Sequence, residues 1–259
     1  MGTKFSTRIW VSVVGIASIF LGSKGYADTV ISVADFGLKP DTRENAVAYV
    51  QKAIEACRGK EPVTLVFPEG RYDFWPQYAH EKNYYETNTY DVFPKRLAML
   101  FEGLHNITVD GNGSQFIMHD RIQPITVENC DGVTLKNFSI DWDIPLTAQA
   151  RVTKVGSDFF EIEINVLESP YIIEDGKLVF VGEGWKSALG SMIEFESDTH
   201  FVVPGTGDLV LGWNWGDYTA VSPRYGIVRL SRKGGFERYP AEGNWLVLRH
   251  STRDHAGIF

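Results

Sequence analysis

Apolar and polar positions repeat along the middle of this chain. Met99–Asn112 and Ile125–Phe138 align without a gap at an offset of 26 residues, Ile107 falling on Val133. Met99, Phe101, Leu104 and Val109 likewise fall on Ile125, Val127, Cys130 and Leu135, and Glu102 falls on Glu128. Within each row apolar residues alternate with polar ones, the spacing of a strand with one buried face. A period of this length that preserves apolar positions marks a solenoid, in which each turn leaves its inner face bare until the next stacks on it. Asp110-Gly111-Asn112-Gly113 reads as a turn cluster in the first row, and Asn129 and Asp131-Gly132 as bends in the second. The pattern predicts two successive coils of a parallel β-helix, with Ile107 stacked on Val133 and Val109 on Leu135.

Upstream, Val30–Gly37 reads as a strand and turn. Asp41-Thr42-Arg43-Glu44 looks like a helix start with Asp41 as cap, and Val47, Val50, Ile54 and Cys57 then form one apolar stripe up to Arg58-Gly59. Such an N-terminal capping α-helix covers the raw end of a first coil. Val63–Phe67 is a buried strand, and Pro68–Tyr72 turns into the next. Phe74–Phe93 reads as a loop loaded with rings, among them Trp75, Tyr78, Tyr84 and Tyr85. Such rings either stack on sugar faces or pack over the end of the core. Trp75 and Tyr85 are the candidates for substrate binding.

After Asp141-Trp142-Asp143-Ile144-Pro145 the repeat stops. Phe160, Ile162, Ile164 and Val166 alternate with polar residues, and short apolar runs recur at Leu178–Val181, Phe201–Val203, Leu209–Leu211 and Ile227–Leu230. This is the grammar of an antiparallel barrel or sandwich. At His250–Phe259 the pattern returns to the helix, with Gly257–Phe259 in the place of Ile125–Val127. The predicted organisation is an all-β chain: a leader over 1–27, the first coils over 28–146, an inserted β-barrel or sandwich over 147–249, and a truncated return over 250–259. So few coils without a terminal cap suggest the front part of a longer protein.

The leader rests on basic Lys4 and Arg8, apolar Ile9–Leu21 and a small-x-small site at Gly25-Tyr26-Ala27. Its apolar run falls short of the roughly 20 residues that span a bilayer, so export to the periplasm, cell surface or medium is expected, with no membrane span afterwards. Removing its three cations leaves 22 basic against 33 acidic residues, a net charge of −11. That balance argues against a nucleic-acid partner. The two cysteines, Cys57 and Cys130, both sit in apolar patterns and are expected to be unpaired.

The segments Val33–Gly37 and Val66–Tyr72, with the helix between them, resemble the pectate-lyase-like superfamily of right-handed parallel β-helix proteins. Phe93–Leu97, Asp110–Ser114 and Phe138–Asp143, together with the barrel insertion, resemble glycoside hydrolase family 110. The resemblance implies an exported, exo-acting α-1,3-galactosidase that removes terminal α-1,3-linked galactose from blood group B-type glycans with inversion. It implies no cofactor, and it places the catalytic acids on coils beyond residue 259. A pectin-type hydrolase or lyase and a non-catalytic glycan-binding β-helix are the alternatives.

Inverting hydrolysis uses two carboxyl groups about 6.5–9.5 Å apart. Asp141 and Asp143, two apart on one expected strand, would sit roughly 6.5–7 Å apart on one side. Parallel neighbours clamp a sugar more readily than they straddle its bond, so both are candidates for substrate binding and only weak candidates for catalysis. His250, Arg253, Asp254 and His255 lie on the return from the insertion, with Asp254 and His255 as further substrate-binding candidates. His119-Asp120 reads as a surface turn. The six histidines lack zinc spacing and no metal is expected. Asp110–Gly113 lacks the later carboxylates of a calcium loop.

Overall fold

The computed structural model describes residues 29–84, 94–206, 218–250 and 257–259. The chain is mostly β, and it divides into two compact units. One holds the described residues up to Trp142 together with 257–259, and the other begins at Asp143.

The first unit contains β1 (Thr29–Ser32), α1 (Val47–Cys57), β2 (Val63–Val66), β3 (Arg71–Phe74), β4 (His80–Lys82), β5 (Lys95–Glu102), β6 (His105–Met118), β7 (Gln123–Glu128) and β8 (Asp131–Trp142). β1, β2, β6 and β8 pair in that order, all parallel, and β3 pairs parallel with the second half of β6. β5 and β7 form a second parallel pair, with β4 antiparallel on the edge of β5. Ile107 lies opposite Val133, Val109 opposite Leu135 and Met99 opposite Ile125, the register that the 26-residue offset requires. Alternation then puts Val63, Leu65, Ile107 and Val109 into one core, Phe116 joins it beyond Asp110–Gly113, and α1 closes it with Val47, Val50, Ala53, Ile54 and Cys57. Cys57 and Cys130 are both free thiols.

Local structure departs from the sequence reading at four places. Asp41 does not cap α1: the first helical N–H, that of Val47, donates to Asn45 Oδ1 at 3.1 Å, and Asp41 instead accepts the Arg71 N–H at 2.9 Å. Asp110–Gly113 does not reverse the chain. β6 runs through it, with Asn112 and Gly113 in the left-handed region, and its offset to β8 drops from 26 (Asp110 on Lys136) to 24 (Ser114 on Phe138). The Asp110 carboxylate serves that corner, accepting the Asn112 N–H and Asn137 Nδ2, each at 2.9 Å. Part of the ring-rich stretch is strand: Phe74 ends β3 fully buried, and residues 80–82 form β4. Finally, Ile258 rather than Gly257 lies opposite Ile125, which keeps an isoleucine in that apolar column.

The second unit contains β9 (Thr147–Val155), β10 (Phe159–Ile164), β11 (Tyr171–Glu174), β12 (Lys177–Gly182), β13 (Trp185–Ala188), β14 (Ser191–Phe195), β15 (Tyr218–Arg224), β16 (Ile227–Arg232) and β17 (Trp245–Arg249). Six of them form an antiparallel sheet in the order β14-β17-β9-β10-β16-β15, and β11-β12-β13 form another. No sheet closes on itself among the described residues. Phe160, Ile162 and Ile164 are buried as their alternation requires. Phe201–Val203 adds only a bridge from Val202 to Phe195, and Leu209–Leu211 lies outside the described residues. Thr147 pairs with Arg249, so the unit begins and ends in one ladder.

Close stacking leaves no room for a side chain at Gly111, where a Cβ would stand 2.5 Å from Phe138 Cβ and 2.7 Å from the Asn137 carbonyl oxygen. Gly111→Ala is therefore expected to cost about 1–3 kcal/mol through overpacking. Gly103→Ala, at a φ of +63° with no atom within 4 Å, is expected to cost only about 1–2 kcal/mol from left-handed strain. Urea unfolding measures both, and a larger loss at Gly103 would show that row-to-row contact is not the constraint.

Candidate functional site

Arg71-Tyr72-Asp73-Phe74 alternates across β3. Tyr72 and Phe74 enter the core, so Arg71 and Asp73 take the other face. Pairing with β6 sets Asp73 opposite Ile117 and Phe74 opposite Met118, which brings His119 alongside. The Asp73 side chain is fully buried and accepts Arg71 Nη2 at 2.6 Å, Arg71 Nε at 3.0 Å and His119 Nε2 at 2.8 Å. An ionised carboxylate only accepts, so Nε2 of His119 carries the proton. Burial pushes the Asp73 pKa up, but the hydrogen bonds from Arg71 and His119 outweigh it and hold the carboxyl below the usual carboxylate range. His119 is thus no surface-turn residue. It is 2% exposed, and its ring stacks on Trp75 at 3.8 Å and 11°.

Trp75 opens the segment that follows β3 and lines a cleft of about 720 Å³. The other walls come from Arg43 and Asn45 ahead of α1, Gln77 and Tyr78, Arg96 of β5, and Asp120. The sequence singled out Trp75 by its ring alone. The group that orients the ring, His119 on Asp73, lies 46 residues from its partner and left no local pattern. The usable signal was a polar Asp73 between two core aromatics.

Of the other candidates, Asp141 lies opposite Ile117, in the same outward row as Asp73 and about two strand spacings from it, roughly 10 Å. It is exposed, and its Oδ1 accepts the Trp142 N–H at 2.8 Å, while Trp142 packs on the core. Asp143 is not its same-strand neighbour: β8 ends at Trp142, and Asp143 stands in the bend that opens the second unit. His250 stacks on Phe180 at 4.5 Å and Trp185 at 5.1 Å, a packing role inside its own unit. Tyr85, Arg253, Asp254 and His255 lie outside the described residues.

A second cluster joins the repeat-related carboxylates. Glu102 and Glu128 lie in register, and Lys82 Nζ bridges them at 2.7 and 2.8 Å. The Tyr84 hydroxyl donates to Glu128. The two acceptors raise the Lys82 pKa, and Lys82 with Tyr84 lowers that of Glu128. Burial and Glu128 push the Tyr84 hydroxyl up to about 12. The ammonium offsets the like-charge stack and ties β4 to the β5–β7 ladder.

Asp73→Asn removes the buried charge that Arg71 and His119 hydrogen-bond and is expected to cost about 1–3 kcal/mol at pH 7. A carboxyl whose folded pKa is depressed stabilises above its unfolded value of about 3.9 and loses that contribution as pH falls through the folded pKa. The gap between wild type and Asp73→Asn should therefore be full at about pH 6 and narrow as pH falls below about 4. A gap that stays constant across that range in urea unfolding would remove the ionised Asp73.

Residues 148–246 match the family model described as GLAA-B beta-barrel domain I. The chain is 59% identical over 235 residues to an α-1,3-galactosidase B of Bacteroides thetaiotaomicron, covering 90% of this chain and 38% of that protein. It is 34% identical over 240 residues to an α-1,3-galactosidase A of Bacteroides fragilis, covering 90% and 38%. Against an α-1,3-galactosidase A of Shewanella woodyi the identity is 32% over 226 residues, covering 86% and 36%. Over most of its own length this chain is similar to curated α-1,3-galactosidases, and it spans about two-fifths of the length of those relatives.

Proposed function

We propose that the protein is an exported glycoside hydrolase that removes terminal α-1,3-linked galactose from glycans with inversion. The observation that carries this is the 59% identity to an α-1,3-galactosidase B over nine-tenths of the chain. In this reading the parallel ladders of the first unit are coils of a right-handed parallel β-helix, and residues 147–249 are an inserted β-barrel. Support for further coils comes from the last row. Ile107, Val109 and Phe116 are fully buried, whereas Val133, Leu135, Phe138 and Ile140, which stack on the core behind them, are only partly so. An apolar row left half bare is the face on which the next turn of a solenoid settles.

The catalytic acids lie on those further coils. Asp141, exposed on the outward face, binds galactose hydroxyls, and Asp143, Asp254 and His255 remain candidates for the same task. Residues 28–259 alone should release no galactose from a blood group B trisaccharide, while a form extended to the length of the relatives does. In that longer form Asp141→Asn should raise KM by the loss of one charged hydrogen bond, about 1–3 kcal/mol, with kcat nearly unchanged. Turnover by residues 28–259 that Asp141→Asn abolishes would put the active site on these coils instead.

Export supplies a separate check. Among the described residues no helix is long and apolar enough to cross a membrane, and the leader lies outside them. Mass spectrometry of the periplasmic or secreted protein should find Asp28 at the N-terminus. An intact Met1 in the cytoplasmic fraction would refute the leader.

A further inference from the structure

Ten non-glycine residues adopt a left-handed backbone among the described residues, and three of them, Arg43 (φ 58°), Tyr78 (φ 69°) and Asp120 (φ 57°), line the Trp75 cleft. Each such residue costs about 1–3 kcal/mol and persists only where its surroundings over-determine it, which happens most at ligand clamps. For Tyr78 the determinants are visible. Asn45 Oδ1 accepts the Trp75 N–H at 3.2 Å, and its Nδ2 donates to the Gln77 carbonyl at 2.9 Å. From α1, Gln51 Nε2 donates to the Tyr78 carbonyl at 2.9 Å. Arg71, Asp73 and His119 fix the indole of Trp75 from behind. The result is a rigid segment presenting one half-buried indole and one Tyr78 that is 64% exposed.

We propose that this cleft is a carbohydrate subsite for a neutral oligosaccharide, separate from the Asp141 row. Its volume lies within the range of small-molecule sites, about 300–1,000 Å³. Among the described residues its charged lining is Arg43 and Arg96 against Glu81 and Asp120, which sums to zero and gives an anionic ligand no net attraction. Guanidinium and carboxylate groups hydrogen-bond pairs of neighbouring hydroxyls through two atoms at once. The Arg96–Glu81 pair, 3.4 Å apart and half exposed, is weak enough to exchange its partners for sugar hydroxyls. Aromatic faces supply the apolar contact that C–H faces of a pyranose need. Locking the segment beforehand removes ordering entropy from the cost of binding.

The subsite rests on the glycan-processing reading but not on hydrolysis, and the test keeps the two apart. α-1,3-Galactobiose and trigalacturonate are titrated into the full 259-residue chain, and binding is read by calorimetry and by the indole N–H resonances. Galactobiose should bind at millimolar levels and shift one indole resonance, absent in Trp75→Phe, while trigalacturonate binds more weakly. Tyr78→Ala and Arg96→Ala, both at exposed side chains, should each weaken binding about 3- to 10-fold, with unfolding unchanged. No galactobiose binding up to about 20 mM, tighter binding of trigalacturonate, or affinity unchanged in both variants would overturn the subsite. Galactose release by a longer form of the protein, alongside any of those results, would leave the hydrolase reading standing without it.

Discussion

In-register stacking of parallel strands is the constraint on which the rest of the first unit depends. Two rows offset by 26 residues set like side chains above like, so one alternation decides both the core and the outer face. Ile107 over Val133 and Val109 over Leu135 build the interior. The same ladder, extended through β3, β6 and β8, aligns Asp73, Ile117 and Asp141 outside it. Stacking also forces close backbone approach. Gly132 sits where a Cβ would meet Asn106 Oδ1 at 2.7 Å, at a corner where both residues are left-handed.

Within that frame, charge is buried only where it is answered. Asp73 stands on the outer face of β3, is buried there, and takes three short hydrogen bonds from two side chains. Removing water there would be costly for a lone carboxylate. Paired, it becomes a rigid post that orients His119 and, through a stacked ring, Trp75. Glu102 and Glu128 meet the same problem at the surface, where Lys82 reaches across both. The stacking that brings like residues together thus creates like-charge rows, and neighbouring strands supply the counter-ions.

What the sequence disclosed follows from which interactions leave a periodic trace. The parallel register of β5 on β7 and β6 on β8 was legible because apolar burial repeats every second residue and every row. The helix was legible from its stripe, but its cap was misread, because Asp41 with Glu44 imitates a capping pattern that Asn45 fulfils from closer by. The Arg71–Asp73–His119 cluster was invisible: its members join across β3 and β6, whose pairing follows no repeat in the sequence. Asp143 was misplaced because alternation in Asp141-Trp142-Asp143 continues past the point where β8 stops.

The corner at Asp110–Ser114, where the offset falls from 26 to 24, carries a rule for how this chain tolerates changes of length. Within β6 the interior positions are Ile107 and Val109 before the corner and Phe116 and Met118 after it, an odd step that strict alternation cannot make. The left-handed pair Asn112 and Gly113 makes that step, and in β8 a like step runs from Leu135 to Phe138. The corner therefore resets which side faces inward, so the two rows differ in length there while Phe116 still stacks on Ile140 and Ile117 on Asp141. A change of length confined to the corner leaves the strands beyond it in place, whereas one inside a straight run turns every later side chain to the opposite face.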